Sequence, residues 1–154
     1  MDKFKKILFF IFVLALFMIP GYIFGRNTDF YQELTKPSFA PKGIVFAIVW
    51  PILYIIQSYY ITHIYYNYHL EREGQKLLLL LIINGVLNII YTPVFFVFKS
   101  IFGGFVVTLF TLVSLILIIL KSKEMNIKKW YFEIPYMLWL IFALVLSISL
   151  YLMN

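Results

Sequence analysis

The chain contains no cysteine, so it has no disulfide framework, no thiolate metal ligand and no cysteine nucleophile. Charge is also scarce. Only 13% of the 154 residues are Asp, Glu, Lys or Arg, where an ordinary soluble domain carries about 25%. His63 and His69 are the two histidines, a weak signal for a metal, and no metal site is expected. There is no P-loop, no G-x-G-x-x-G and no Ser–His–Asp grouping, which excludes nucleotide-dependent and conventional hydrolytic enzymes. Of the seven carboxylates, Asp2, Asp29, Glu33, Glu71, Glu73 and Glu124 fall in tails or loops. The seventh, Glu133, stands near the start of an apolar run, where pairing with Lys128 or Lys129 at an interface is expected. A proton or ion pump needs ionisable groups at mid-membrane, and none is placed there.

What the chain has in excess is apolar sequence: 63% of residues, with a mean hydropathy of +0.92. Folding that content into one soluble globule would leave too little polar sequence to cover the surface, so a soluble enzyme and a disordered chain are both excluded. Crossing about 30 Å of hydrocarbon takes roughly 20 apolar residues. Five such runs are present, at 7–24, 43–66, 77–98, 101–120 and 130–153. Helices are expected because backbone groups in lipid must be satisfied within the segment. The fold class is therefore all-α: one integral membrane bundle of five transmembrane helices spanning residues 1–154. The first run has the basic start of a signal peptide. It continues through Met18-Ile19-Pro20-Gly21 without a small-x-small cleavage site, so it is read as a retained helix.

Lys and Arg placement sets the orientation. Lys3, Lys5, Lys6, Arg72, Lys76, Lys121, Lys123, Lys128 and Lys129 fall on one side, and Arg26, Lys36, Lys42 and Lys99 on the other. That bias places the N-terminus in the cytoplasm, with the long loop 25–42 and the C-terminus outside. The basic balance thereby reflects topology and attraction to anionic lipid, and no nucleic acid partner is expected. A multi-pass protein of the cell membrane follows.

Polar residues at depth are amides and hydroxyls. Asn84 and Asn88, four apart, share one helix face near mid-span, suited either to interhelical hydrogen bonds or to ligand contact. Gln57, Ser58 and Thr62 give the second run a similar strip. Aromatics make up 21% of the chain. Tyr59, Tyr60, Tyr65, Tyr66 and Tyr68 read as an interface belt, with Trp130 as a further anchor. Trp50 and Trp139 lie inside their spans, where they either pack or line a flat apolar pocket. Pro51 and Pro135 add breaks that would widen such a pocket. Gly21/Gly25, Gly104/Thr108 and Ala143/Ser147 have the small-xxx-small spacing of close helix contacts and of dimers.

The loop and second run read Phe30-Tyr31-x-x-Leu34-x-Lys36-Pro37-Ser38-Phe39-Ala40-Pro41, then Val49-Trp50-Pro51-x-Leu53-Tyr54. The third run carries Leu87-Asn88-x-x-Tyr91-x-Pro93-x-Phe95-Phe96, and the fifth carries Pro135-Tyr136-x-x-Trp139-x-x-Phe142-Ala143. In order and spacing these elements resemble the TspO/MBR family, which comprises bacterial tryptophan-rich sensory proteins and the mitochondrial translocator protein. There are departures. Phe30, Phe39 and Tyr91 stand where the family commonly has Trp, Ala47-Ile48 replaces Gly-Pro, and Thr108 lies near a common acidic position. No Lys or Arg follows Tyr151, so the sterol motif is incomplete and cholesterol is not an expected ligand.

The resemblance implies a five-helix bundle, commonly a homodimer, with a pocket on the side of the long loop. Such a pocket takes porphyrins and benzodiazepine-site ligands. Tyr31 would cap it, Trp50 and Tyr54 would line it from the second helix, Asn88 and Tyr91 from the third, and Trp139, Phe142 and Ala143 from the fifth. The implied activity is light-dependent oxidative breakdown of protoporphyrin IX, with Trp50 and Trp139 beside the macrocycle and no cofactor beyond the porphyrin itself. The alternative is a non-catalytic sensor or carrier of porphyrins or other hydrophobic metabolites.

Overall fold

The computed structural model describes residues 3–25 and 29–154; Asp2 and Arg26, counted above, lie outside the described residues. Every regular element among the described residues is helical. Helix α1 spans Lys3–Phe24, a short α2 Asp29–Glu33, α3 Gly43–Tyr68, α4 Arg72–Thr92, α5 Ile101–Glu124 and α6 Ile134–Met153. With the π-helical turn Pro93–Val97 continuing α4 and the 3₁₀ turn Lys128–Glu133 leading into α6, five helical segments are long and apolar enough to cross a membrane. Their outer faces remain apolar: Ile11, Phe12, Ile52, Ile82, Phe110 and Leu138 are all more than half exposed. A surface of that kind is stable only against hydrocarbon, so the protein is a multi-pass integral membrane protein.

Helix ends follow local chemistry. Pro93 has no N–H to offer the preceding turn, and the chain widens there: the Phe98 N–H donates to the Pro93 carbonyl at 3.0 Å, five residues back. Lys99 adopts the left-handed conformation (φ 50°), and Ser100 Oγ accepts from the Gly103 N–H at 2.9 Å, starting α5. The break at Lys99–Ser100 is thus a tight turn joining two adjacent helices, α4 and α5. At the other end, Asn126 (φ 56°) turns the chain after α5, and asparagine tolerates that geometry. The turn between α3 and α4 depends on Gly74, where an added Cβ would clash with the Tyr68 carbonyl oxygen, well inside van der Waals contact distance. Gly74→Ala is expected to lower stability by about 1–3 kcal/mol, as overpacking against fixed atoms does. Thermal unfolding in detergent measures this, and an unchanged midpoint would show that the turn adapts.

The core has three parts. Leu53, Leu112, Leu115, Ile119, Tyr136 and Leu140 join α3, α5 and α6. Tyr60, Ile64, Leu77, Leu81 and Ile118, with Ile127 of the α5–α6 connection, join α3, α4 and α5 toward the N-terminal end of the bundle. Phe95, Leu146 and Leu150 support the loop side, where Phe30, Tyr31, Leu34 and Ala40 rest on them. The nine Lys and Arg residues grouped by sequence gather at one end: Lys6 lies 5.5 Å from the Tyr66 ring centre, and Lys121 bridges to Glu73 of α4 and Glu124.

Two sequence expectations are corrected in this half of the molecule. Glu133 is completely buried instead of interfacial, and neither Lys128 nor Lys129 pairs with it. The 3₁₀ turn rotates its side chain inward, where Gln57 Nε2 donates to Oε2 at 2.7 Å and Oε1 has no partner. Lys129 instead donates to the Tyr59 hydroxyl. Tyr60 is not part of the interface belt: it is fully buried and shares a hydrogen bond of 2.6 Å with Ser122.

Candidate functional site

On the loop side, the segment 29–42 lies over the bundle, with Phe30, Tyr31, Leu34 and Ala40 packed against Phe95, Leu146 and Leu150. Lys36 organises this cover. Its ammonium donates to the carbonyls of Tyr31, Gln32 and Leu34 at 2.9, 2.8 and 3.0 Å, which uses all three of its hydrogens. The Tyr31 hydroxyl donates to the Pro41 carbonyl at 3.0 Å, closing the loop on itself, and partial burial raises the pKa of this phenol. Asn154 clamps the outer edge: its Oδ1 accepts from the Thr35 N–H and its Nδ2 donates to the Thr35 carbonyl, both at 2.9 Å.

Beneath the cover lies a cavity of about 800 Å³, within the range of small-molecule and cofactor sites. Its walls are aromatic: Tyr31, Phe46, Trp50, Tyr54, Tyr91, Phe95 and Phe96. Successive residues Phe95 and Phe96 both reach it because the π-helical turn widens the end of α4. The Tyr91 and Phe95 rings stack at 5.6 Å, and Trp50 lies tilted on Tyr54 at 5.5 Å. Small side chains keep the volume open. Gly21, Gly25, Thr108, Ala143 and Ser147, from the small-xxx-small pairs of the sequence, all line the cavity, and a Cβ added at Gly21 would meet nothing within 4 Å. At Gly21 the spacing therefore makes room, whereas at Gly104 it permits close contact, since an added Cβ would lie 2.8 Å from the Phe95 ring. Of the two prolines expected to widen a pocket, Pro51 lines it, while Pro135 sits in the first turn of α6, where proline is tolerated without a break.

The two asparagines divide the roles that the sequence left open. Asn84 Nδ2 donates to the Thr111 carbonyl (2.9 Å) and to Ser114 Oγ (2.8 Å), and its Oδ1 accepts from the Tyr136 hydroxyl at 3.3 Å. All of its strong valences are spent in binding α4 to α5 and α6, and it does not line the cavity. Asn88, one turn closer to the loop, donates from Nδ2 to the Tyr136 hydroxyl at 2.7 Å and presents the amide to the cavity. The Tyr54 and Tyr91 hydroxyls line the same space with no hydrogen-bond partner among the described residues. Thr108, near the acidic position that the resemblance implies, bonds back to the Gly104 carbonyl at 2.8 Å and offers no carboxylate.

Of the sequence-derived site residues, Tyr31, Trp50, Tyr54, Asn88, Tyr91 and Ala143 converge on the cavity. Trp139 and Phe142 form a layer behind its wall. Trp139 meets Trp50 edge-on at 6.3 Å and Phe142 at 5.3 Å, and its buried indole N–H has no partner. Phe46 and Asn154 belong to none of the sequence motifs, and Lys36, Phe95 and Phe96, quoted in the motifs, are given no place in the site by sequence reasoning. The run Pro93-x-Phe95-Phe96 carried the available signal for two of them; nothing local marks Asn154.

Among the described residues no cluster of His, Asp or Glu could hold a metal. The cavity's ionisable lining consists of Lys36, Lys42 and tyrosines. Its chemistry is that of an apolar, ring-walled slot with a few neutral polar groups.

Comparison with known proteins finds relatives over nearly the whole chain. Over 145 residues the chain is 28% identical to the membrane protein YtaB of Bacillus subtilis, covering 94% of this chain and 93% of that protein. It is 28% identical over 152 residues to the tryptophan-rich protein TspO of Bacillus cereus, covering 99% and 98% of the two chains. Protein CrtK of Rhodobacter capsulatus is 26% identical over 135 residues, covering 87% and 83%. The model of the TspO/MBR family matches residues 9–152, and the chain belongs to that family.

Proposed function

We propose that the cavity binds tetrapyrroles such as protoporphyrin IX, as well as the flat aromatic compounds of the benzodiazepine site, and that the bound porphyrin is broken down by light and dioxygen. The observation that carries this reading is the slot itself: about 800 Å³ walled largely by aromatic side chains, with Trp50 on its face and Asn88, Tyr54 and Tyr91 supplying neutral polar contacts. A planar macrocycle fills such a space with ring-to-ring contact on both faces. Lys36 is spent on the loop, which leaves Lys42 at the rim as the cation suited to a ligand carboxylate. The porphyrin absorbs the light and dioxygen is the oxidant. The protein contributes position and exclusion of water. Trp50 is the indole nearest the ligand, and Trp139 acts by holding Trp50 in place. The N-terminus faces the cytoplasm and the cavity opens toward the outer side. Assembly as a homodimer belongs to the same proposal.

Illumination of the saturated complex tests the chemistry. Trp50→Phe is expected to slow formation of the absorbing product by about tenfold or more while porphyrin remains bound, as the loss of a positioning group does. Trp139→Phe should have a smaller effect. Product and rate equal to wild type in both variants would remove the indoles from the chemistry. The alternative, a sensor or carrier, draws support from the absence of any carboxylate or histidine in the described lining. Porphyrin movement across protein-containing liposomes in darkness would favour a carrier.

A further inference from the structure

A second concavity, of about 440 Å³, lies at the opposite end of the bundle, between α1 and α3. Its walls are helical stripes. Lys3, Lys6, Ile7 and Phe10 have the i, i+3, i+4, i+7 spacing of one face of α1, and Tyr59, Thr62, His63, Tyr66 and Asn67 have the matching spacing on α3. Lys129, from the 3₁₀ turn before α6, closes the groove. The upper part therefore holds three ammonium groups and an imidazole, and the lower part Ile7 and Phe10.

Among the described residues, the charges in this groove have no counter-ion. Elsewhere at this end, two lysines have carboxylate partners: Lys76 pairs with Glu73 at 2.7 Å, and Lys121 with Glu73 and Glu124. Among the described residues no carboxylate pairs with Lys3, Lys6 or Lys129. Lys6 rests over the Tyr66 ring at 5.5 Å, and Lys129 lies 4.9 Å from the Tyr59 ring centre while donating to its hydroxyl. Aromatic faces hold these ammoniums in place but do not cancel their charge. Lys3 and Lys6, three apart on one helix, repel each other unless an anion lies between them. His63 Nδ1 lies 3.0 Å from Asn67 Nδ2, which leaves Nε2 as the ring nitrogen available to a ligand.

We propose that this groove is a binding site for one anionic phospholipid, its phosphate held by Lys3, Lys6 and Lys129 and the start of an acyl chain laid along Ile7 and Phe10. The commitment to a lipid rests on two features together. The ammoniums stand at the end of the apolar spans, at the depth of a headgroup, and the groove continues from them into aliphatic and aromatic surface. A soluble anion would use only the first of these. The site is separate from the cavity beneath the loop and shares no residue with it.

The test is thermal stabilisation and retained-lipid counting by native mass spectrometry on the full chain in neutral detergent. Phosphatidylglycerol, phosphatidylcholine, inorganic phosphate and glycerol phosphate serve as probes. Phosphatidylglycerol is expected to bind saturably and raise the unfolding midpoint, and the other three to have little effect. The double variant Lys6→Gln/Lys129→Gln should weaken phosphatidylglycerol about tenfold or more, the loss of two phosphate contacts. Lys5→Gln/Lys123→Gln removes the same charge outside the groove and should leave affinity unchanged. Equal weakening by both pairs would reduce the effect to a diffuse field and overturn the site. Equal stabilisation by inorganic phosphate would make it an anion site without a lipid, and equal binding of phosphatidylcholine would remove the role of charge. Each double variant is first compared with wild type in lipid-free detergent. Should the first unfold there, Lys6→Gln alone, on an exposed side chain, carries the same test with a smaller expected loss.

Discussion

Ala143→Trp is expected to lower protoporphyrin affinity by about 100-fold or more, equivalent to about 2.7 kcal/mol, with little change in thermal stability. Ala143 faces the cavity from α6 among small neighbours, with Ser147 one turn further on. An indole at 143 projects into existing space, so the ordinary penalty of overpacking a filled core does not arise. The volume it occupies is what a planar ligand needs. Ser147→Phe fills the same floor from the next turn and should act in the same direction. A dark titration of porphyrin against each purified variant measures the effect. Unchanged affinity in both, with the fold intact, would place the ligand outside this cavity.

The second large effect concerns stability and lies far from the cavity. Glu133→Lys is expected to cost about 3–5 kcal/mol or to prevent folding, the usual result of leaving an uncompensated charge in the interior. Glu133→Gln should remain within about 1 kcal/mol of wild type, because its amide oxygen can still accept from Gln57 and the side-chain volume is preserved. The basis is the complete burial of Glu133 and its single bond of 2.7 Å to Gln57 on α3. Ser58, next to Gln57 in the chain, also has a buried hydroxyl without a partner, and a hydroxyl cannot neutralise a lysine. Thermal unfolding in detergent, followed by near-ultraviolet circular dichroism, separates the variants. A well-folded Glu133→Lys protein would show that the side chain at 133 reaches the interface, as its position near Lys128 and Lys129 in the sequence implies.

Glu133 also shows what sequence can and cannot convey here. Five apolar runs and their basic flanks define the spans to within a few residues, because length and charge act on the whole segment. Which way one side chain points at the start of a span depends on a local turn. The 3₁₀ turn at Lys128–Glu133 has no marker as strong as a run of twenty apolar residues. The same limit separates Asn84 from Asn88. Four residues apart on one face, they differ by one turn of depth, and that turn decides between a saturated interhelical amide and one that meets the cavity. Trp50 and Trp139 were legible as a pair of interior indoles, but helix rotation places one on the wall and the other behind it. Small-residue spacing at Gly21/Gly25 and Ala143/Ser147 was legible as pattern, while its use depends on what stands opposite. Here all four residues line the cavity, and at Gly21 an added Cβ would meet nothing within 4 Å.

The most direct measurement is a dark titration of the purified protein with protoporphyrin IX, following the fluorescence of its three tryptophans in wild type and in single Trp→Phe variants. Trp50 lines the cavity, Trp139 stands edge-on behind it, and Trp130 lies at the other end of the bundle, 4.1 Å from Lys123 Nζ. The expected result is saturable quenching at one porphyrin per chain, greatest for Trp50, intermediate for Trp139 and least for Trp130. Quenching that never saturates, or that falls mainly on Trp130, would contradict a tetrapyrrole site beneath the loop.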